Sequence, residues 1–434
     1  MPDEQPPDGL VELEVGPVAH GGHCVARWDG QVVFVRHTLP GERVRARVTE
    51  GAPGARFLRA DAVEVVRASP DRVVAPCRYA GPAGCGGCDW QHASPAAARG
   101  LKAAVVTEAM RRFAGLDVEV EVRALDGPVD GLGWRTRVGF ASDPTGRLGL
   151  HAHRSQRVVA LDECLLADSR ITGMGLSSRR WPAGSSVEAV VSADGERLVV
   201  LSPGDAVGRS EPAPALDPGT SLIVVAPGGD RRVRDQGWVR ERGWVRERAG
   251  GRTWRVSGSG FWQVHPQAAG TLVDAILELT DPQAGQRALD LYSGVGLFAG
   301  ALGEHLGPEG QVVAVESDQQ AVADARRNLH DLPQVVLVTG RVEGVLARPT
   351  GPAAEPVDIV VLDPPRAGAG RRVAEAVADR APRVVAYVAC DPVALARDVA
   401  TLGRRGYHLA GLRAWDAFPQ THHVECVALL RPDQ

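Results

Sequence analysis

The chain of 434 residues has almost no lysine and few aromatic side chains. Lys102 is its one lysine, so nearly all of the 49 basic side chains are arginines, and aromatic residues make up 5%. We attribute this to a composition biased toward alanine, glycine, valine and arginine. The formal net charge of −4 excludes a uniformly basic protein that coats nucleic acid without selection. A basic surface on one part of the molecule is still compatible with this charge.

Long apolar runs and a secretion signal are also missing from the sequence. No stretch approaches the roughly 20 apolar residues that a membrane-spanning helix needs. The segment Met1–Pro7 is acidic and lacks the basic and apolar regions of a signal peptide. We therefore expect a cytosolic protein with no membrane partner, and nothing in the sequence indicates an obligate protein partner.

Cysteines are few, but three of them lie close together. Seven cysteines cannot build a disulfide scaffold of this size, and cytosolic cysteines more often bind metal or take part in catalysis. Cys77, Cys85 and Cys88 fall within twelve residues of a segment rich in glycine and proline. Thiolates this close suit zinc or a four-cysteine [4Fe–4S] cluster, and both need a fourth ligand. This segment is therefore a candidate metal site.

The patterning divides the chain into three parts. Residues 8–67 alternate apolar and polar side chains between turn residues, which predicts short strands in a small OB-like barrel. Residues 70–255 hold the cysteine segment, a predicted helix from about 95 to 114 and short strands. From 256 to 434, apolar strands alternate with helical segments, which predicts an α/β domain with a mainly parallel sheet.

Arginine-rich features occur in the first two parts. Arg43, Arg45 and Arg47 project from one face of a predicted strand, which favours a surface that contacts phosphates. Residues 237–248 repeat the hexamer Gly-Trp-Val-Arg-Glu-Arg twice. Two copies are too few for a repeat architecture, so we interpret them as a duplication that lengthens a hairpin or loop.

A glycine turn follows the first strand of the third part. Gly294 and Gly296 let the chain turn tightly and let a ligand approach the backbone. The next strand ends in Glu316, about twenty residues further on, where a carboxylate can bind both ribose hydroxyls of an adenosine cofactor. The third glycine of the dinucleotide fingerprint is missing. The site therefore fits S-adenosylmethionine, which has no pyrophosphate, better than NAD.

Three reactive side chains follow later strands of the same part. Asp363 precedes two prolines at the end of the fourth predicted strand, where ligands of open α/β sheets bind. Cys390 ends the next strand and is a candidate nucleophile. Glu425 comes just before the last strand and is a candidate general base.

Taken together, these motifs closely resemble the class I S-adenosylmethionine-dependent RNA uracil-5-methyltransferase family. The motifs that carry the resemblance are Phe261–Pro266, Asp290–Gly296, Asp363–Arg366, Tyr387–Pro392 and His422–Glu425. The resemblance implies a Rossmann-like methyltransferase domain over 256–434. It also implies a TRAM domain, an OB-like RNA-binding barrel, over 8–67 and a mixed α+β iron–sulfur region over 70–255.

The resemblance also assigns roles to single residues. The cofactor-binding positions of the family fall on Gln263, Tyr292, Glu316 and Asp363, and its fourth cluster ligand falls on Cys164. It implies that Cys390 attacks C6 of the target uracil and that Glu425 removes the C5 proton. Asp363 would orient the uracil as well as touch the cofactor. A zinc ion or an empty site stays the alternative to the [4Fe–4S] cluster.

The function implied is the conversion of one uridine in a structured RNA to 5-methyluridine. Ribosomal RNA is favoured over transfer RNA, because family members dedicated to transfer RNA often lack the barrel and the cluster. Two alternatives stay open. An Asp-Pro-Pro loop also occurs in methyltransferases that act on a base nitrogen and need no cysteine nucleophile. A non-catalytic RNA-binding protein that has kept the fold is the other.

Overall fold

A computed structural model describes residues 9–52, 54–204, 213–225, 231–234, 243–348 and 350–433. Within these ranges no helix combines the length and the apolar character needed to cross a membrane. The first copy of the repeated hexamer, residues 237–242, lies outside the described residues. The second copy begins at Gly243, and its other five residues lie in the first strand of a hairpin.

The first part of the chain is a curled six-stranded sheet. Its strands are β1 (Leu10–Glu14), β2 (Val18–Ala19), β3 (His23–Trp28), β4 (Gln31–Arg36), β5 (Arg43–Glu50) and β6 (Leu58–Arg67). The strand order is β1-β5-β6-β4-β3-β2, and β1 at one edge also lies against β3 near the other. Alternate side chains from Val11 to Ala62 are buried in one core. The short strands predicted here are confirmed.

Two of the three arginines of β5 pair with glutamates of neighbouring strands. The Arg43 Nε lies 3.1 Å from Glu12, and the Arg45 Nη1 lies 2.8 Å from Glu64. The phosphate-contacting face predicted from Arg43, Arg45 and Arg47 is therefore a face of mixed charge. The spacing of the arginines was visible in the sequence, but their partners on other strands were not.

The central part is a seven-stranded sheet followed by a hairpin. The strands of the sheet are β8 (Arg137–Ser142), β9 (Leu148–His151), β10 (Val158–Ala160), β11 (Ser186–Val191), β12 (Arg197–Ser202), β13 (Thr220–Val225) and β14 (Arg231–Arg234). The sheet order is β10-β9-β8-β11-β12-β13-β14. A short helix, α2 (Ser169–Thr172), lies against β11. The hairpin strands are β15 (Trp244–Ala249) and β16 (Arg252–Ser257), which pack on the third part.

The third part is an α/β sheet of the Rossmann-like type. Its strands are β17 (Arg287–Leu291), β18 (Gln311–Glu316), β19 (Val335–Thr339), β20 (Ile359–Leu362), β21 (Val384–Ala389), β22 (Tyr407–Asp416) and β23 (Glu425–Pro432). Its helices are α3 (Ala268–Thr280), α4 (Leu297–Leu306), α5 (Gln319–Asn328), α6 (Val342–Leu346), α7 (Arg371–Ala378) and α8 (Pro392–Gly403). The alternating strands and helices predicted from the sequence are confirmed.

The strand order of this sheet locates the site. The strands run β19-β18-β17-β20-β21-β23-β22, and the first five are parallel. The chain moves one way from β17 through β19 and the other way from β20 to β21. The loops that leave β17 and β20 therefore diverge and open a cleft at the carboxyl ends of these strands.

Residues from the predicted central region complete this sheet. The helix α1 (Pro95–Ala109) continues as a π-turn over Met110–Ala114 and packs against α8, which confirms the predicted helix. The strand β7 (Val122–Ala124) then pairs in parallel with β22 as the eighth strand. A strand of three residues is too short to show a periodicity in the sequence. The sequence pattern therefore places this segment in the central part, residues 70–255, and not in the α/β sheet of the third part.

Candidate active site

The carboxyl ends of the parallel strands open into a cleft of about 1090 Å³. Seven of the eight residues predicted to act in catalysis or cofactor binding line it: Gln263, Tyr292, Gly294, Glu316, Asp363, Cys390 and Glu425. Gly296 is not among the lining residues. It caps the N-terminus of α4 with φ +94°, and a Cβ there would lie 2.6 Å from the Leu329 side chain. Gly296 therefore allows the turn and the close packing beneath the cleft.

Glu316 is held by backbone N–H groups at one end of the cleft. Its Oε2 accepts a hydrogen bond from the Gly294 N–H at 3.0 Å. Its Oε1 accepts from the N–H groups of Ser317 at 2.6 Å and Asp318 at 2.7 Å. The preceding turn places Tyr292 at φ +66°, a conformation that is uncommon for residues with a Cβ and concentrates at functional sites. A fixed carboxylate beside a glycine turn suits the ribose hydroxyls of an adenosine cofactor.

Two aspartates lie behind and beside this turn. Asp290 is fully buried and accepts a hydrogen bond from the Ala299 N–H at 2.8 Å. Burial, together with the neighbouring Asp363 and Glu316 carboxylates, raises the pKa of Asp290 to about 8. Burial also raises the pKa of Asp363 to about 7. Asp363 also lines the cleft, so its carboxyl group faces any ligand bound there.

The predicted nucleophile and base lie on adjoining strands. Strand β23 pairs antiparallel with β21, and the register sets Ala389 opposite Cys426. The next positions in this register are Cys390 and Glu425, so a thiol and a carboxyl group share one end of the cleft. Glu425 is buried and Cys390 is half-buried; burial first, and then the neighbouring Glu425, raise the pKa of Cys390 to about 12.

Burial and a neighbouring acid act on Glu425 in the same direction. Its side chain is 3% exposed, and burial and the nearby Asp363 raise its pKa well above the usual value of a glutamate. Arg366 lines the cleft and acts in the opposite direction on the pKa of both Glu425 and Cys390. Arg366 belongs to the Asp-Pro-Pro-Arg motif but was not among the predicted site residues, because only the fold brings it near both groups.

The barrel and the cysteine segment reach the loops of the cleft. The His20 Nε2 lies 2.8 Å from Asp391, the residue that follows Cys390. The N–H groups of Asp89 and Trp90 donate to the Gln420 carbonyl at 2.9 and 3.1 Å. Asp89 also accepts from the His422 N–H at 3.0 Å, and the His422 Nδ1 lies 2.7 Å from it. The sequence signals none of these contacts, because they join residues more than 300 positions apart.

All four predicted cluster ligands line one small cavity. Cys77, Cys85, Cys88 and Cys164 surround about 90 Å³ between the cysteine segment and the central sheet. Burial, and then the neighbouring thiols, raise the pKa of Cys88 to about 12. Among the described residues, no three or more His, Cys, Asp or Glu side chains are arranged to hold a single metal ion. The four thiols thus face a common cavity, and they do not form a closed single-ion site.

Profiles of known families match three segments of the chain. The TRAM domain matches residues 10–63, and tRNA (Uracil-5-)-methyltransferase matches residues 355–432. Protein-L-isoaspartate(D-aspartate) O-methyltransferase matches residues 265–346, the segment that carries the glycine turn. The first match covers the curled sheet and the second covers the strands that carry Asp363, Cys390 and Glu425.

Relatives and solved structures match the whole chain. An uncharacterized RNA methyltransferase of Streptomyces avermitilis is 51% identical over 97% of this chain and 98% of its own length. The 23S rRNA (uracil(1939)-C(5))-methyltransferase RlmD of Pseudomonas putida is 32% identical over 96% of this chain and 92% of its own length. The Pyrococcus abyssi tRNA (uracil-54, C5)-methyltransferase with S-adenosyl-L-homocysteine has a TM-score of 0.67 and 22% identity, covering 96% of this chain and 99% of that one. The last of these shows a shared fold.

Proposed function

Because the chain belongs to the S-adenosylmethionine-dependent RNA uracil-5-methyltransferase family, we propose that it methylates its target uridine through a covalent adduct between Cys390 and the uracil. The observation that carries this proposal is the register of β21 and β23, which sets Cys390 beside Glu425 in the cleft that also holds Glu316 and Asp363. The cleft has two substrates to bind. The nucleophile and the base at one end suit the uracil, and the anchored carboxylate of Glu316 at the other end suits the ribose of S-adenosylmethionine.

The uracil must be activated before it can be methylated. The Cys390 thiolate adds to C6 and places the electron pair on C5, which is otherwise a poor nucleophile. When bound, S-adenosylmethionine would supply the methyl group from its sulfonium to C5 and leave as S-adenosyl-L-homocysteine, with the electron pair of the broken S–CH3 bond on sulfur. Asp363 holds the imide edge of the base through a hydrogen bond. The target nucleotide must be unpaired or flipped out of a helix to reach the cleft.

Release of the product needs a base. Glu425 accepts the proton from C5, the C5–C6 double bond forms again, and the C6–Sγ bond breaks with its electron pair returning to sulfur. Arg366 lowers the pKa of both Cys390 and Glu425. We therefore assign to Arg366 the electrostatic support of the thiolate and of the carboxylate during the cycle.

We propose ribosomal RNA as the substrate. The Pseudomonas putida relative named for 23S rRNA aligns with nearly the whole chain at 32% identity. The test is nucleoside mass spectrometry of unmodified ribosomal and transfer RNA after incubation with the protein and S-adenosylmethionine. New 5-methyluridine in ribosomal RNA alone supports the proposal. New 5-methyluridine in transfer RNA alone would contradict the proposed substrate but support the proposed reaction. Methylation of another atom would contradict the proposed reaction.

Loss of the Glu316 carboxylate should weaken cofactor binding. In Glu316→Ala, the turn loses the acceptor for three backbone N–H groups, and the ribose hydroxyls lose their partner. Hydrogen bonds to charged groups contribute about 1.5–3 kcal/mol, so we expect the KM for S-adenosylmethionine to rise at least about tenfold. Steady-state kinetics with saturating RNA measures this effect. Glu309→Ala, at an exposed position of the loop before β18 and at the opposite end of that strand from Glu316, should leave the KM unchanged.

We also propose that Cys77, Cys85, Cys88 and Cys164 bind a [4Fe–4S] cluster. Four thiols around one cavity are the donor set that such a cluster takes. Arg135 lines the same cavity and would balance part of the negative charge of the bound cluster. The cluster would join the cysteine segment to the loop after β10 and thereby fix the contacts of Asp89 with the cleft. It takes no part in the steps above.

Replacing one of these cysteines should remove the cluster. We expect Cys88→Ala and Cys164→Ala, purified anaerobically, to lose the visible absorbance and the bound iron, about four atoms per chain in the unaltered protein. The temperature of unfolding should fall as well. Cys24→Ala, in the core of the barrel, should keep its iron. One equivalent of zinc, or no metal in the unaltered protein, would contradict the proposed cluster.

A further inference from the structure

Lys102 is the one lysine of the chain, and it is buried. Of the 49 lysine and arginine residues, all but Lys102 are arginines. The Lys102 side chain has no exposed surface. Its Nζ contacts the Asp416 carboxylate and donates a hydrogen bond to the Phe418 carbonyl at 3.0 Å. Asp416 is itself 5% exposed. The ion pair thus lies in the interior, between α1 and the end of β22.

A buried ion pair needs a reason other than stability. The desolvation of two charges offsets much of their attraction, and apolar residues of similar volume often stabilise a protein equally well. A compact ammonium with three donors also differs from a guanidinium, which is larger and planar. This chain has arginine at every other basic position, whereas position 102 holds lysine, whose ammonium group is the smaller cation. The pair therefore indicates a demand for a particular geometry at this place.

The segment that Lys102 holds leads directly to Glu425. Residues 417–424 connect β22 to β23, and four of them, including Phe418 and His422, line the cleft. Lys102 fixes the beginning of this segment, and Asp89 fixes its other end through His422. Both anchors come from the stretch that follows Cys88. The loop in front of Glu425 is therefore held at two points by residues outside the sheet that carries it.

We propose that Lys102 is a positioning residue for the methyl transfer cycle, which aligns the Glu425 carboxylate with the C5 proton of the covalent adduct. This inference rests on the proposed roles of Cys390 and Glu425. Lys102 does not touch the uracil in this account. It acts through the Asp416 carboxylate and the Phe418 carbonyl, which set the path of the segment that ends at Glu425.

The proposal predicts which step fails when the anchor is lost. Addition of Cys390 and attack of C5 on the methyl group do not need Glu425, so they should still occur. Removal of the C5 proton does need it, so the bond between Cys390 and C6 should persist. A protein that is merely less stable forms less adduct. A protein with a misplaced base accumulates it.

The test compares Lys102→Met with the unaltered protein on its RNA substrate and radiolabelled S-adenosylmethionine. Denaturing gels measure the fraction of protein linked to RNA, and nucleoside analysis measures released 5-methyluridine. We expect Lys102→Met to hold at least fivefold more methylated adduct than the unaltered protein, with turnover reduced at least tenfold. The control is Arg111→Met, which removes an exposed ion pair between Glu108 of α1 and Arg111 of the π-turn that continues it. This variant should behave as the unaltered protein does.

A double variant separates positioning from stability. Lys102→Met leaves Asp416 buried without its cation, which alone destabilises the fold. Lys102→Met/Asp416→Asn removes both charges and should recover thermal stability, but it still lacks the donor to the Phe418 carbonyl. We expect adduct to accumulate in this variant too. If the double variant releases 5-methyluridine at the unaltered rate, or if neither variant accumulates adduct, the role of Lys102 is structural and the proposal is overturned.

Glu425→Gln distinguishes this failure from failure of the proposed function. If Glu425→Gln accumulates adduct and the Lys102 variants do not, only the positioning role is lost. If Glu425→Gln turns over normally, the assignment of the base is wrong, and the role of Lys102 falls with it.

Discussion

Replacing Cys390 with alanine is expected to abolish 5-methyluridine formation while leaving S-adenosylmethionine binding nearly unchanged. The side chain lies at the end of β21, beside Glu425, and not at the turn that holds Glu316. Without the thiolate, C5 of the uracil receives no electron pair and cannot attack the methyl group. Loss of a covalent nucleophile lowers turnover by a factor on the order of 10⁴ to 10⁶.

The measurement is nucleoside mass spectrometry of the RNA, with calorimetric titration of S-adenosylmethionine as the check on binding. Cys24→Ala, at a buried cysteine of the barrel, is the matched control and should keep its activity. Cys390→Ala also distinguishes methylation of uracil C5 from methylation of a base nitrogen, the two reactions for which an Asp-Pro-Pro loop is known. A methyltransferase that acts on a base nitrogen needs no thiolate, so undiminished methylation in Cys390→Ala would contradict the covalent mechanism.

Glu425→Gln is expected to stop the cycle after methyl transfer. The amide has the shape of the carboxyl group but cannot accept the C5 proton, so the methylated uracil stays bonded to Cys390. General-base catalysis contributes about 10²- to 10⁴-fold, and release of 5-methyluridine should fall by a factor in that range. Thermal stability should change little, because burial and Asp363 disfavour the charged form of Glu425, and glutamine is a neutral side chain of equal size.

A single turnover with radiolabelled S-adenosylmethionine tests this expectation, since the label should appear in a protein–RNA adduct on a denaturing gel. Glu278→Gln is the control, because Glu278 is an exposed glutamate paired with Arg413 on the surface. The double variant Cys390→Ala/Glu425→Gln should form no adduct. Adduct in that double variant would mean that another group attacks the uracil, and its absence in Glu425→Gln alone would remove the role of Glu425 as the base.

Local sequence determined the elements of this protein and the reactive residues of its cleft. Apolar runs such as Val384–Ala389 form buried strands wherever they lie in the fold, because both faces of a parallel sheet are covered. Ligands bind at the carboxyl ends of such strands, so Asp363 and Cys390 could be placed in the cleft from their positions alone. The glycine turn and Glu316 followed from the same rule.

Tertiary structure decided what these residues meet. The pairing of β21 with β23, which brings Glu425 to Cys390, is antiparallel, and no pattern along the chain fixes its register. The same holds for β7, which joins the sheet beside β22 although its three residues are too few to show a periodicity. It also holds for Lys102, which is buried against Asp416, a residue 314 positions away in the sequence. Periodicity reports which face of an element is buried, whereas the partner of a charged side chain depends on the path of the rest of the chain. For that reason the reactive residues could be predicted, and their positioning residues could not.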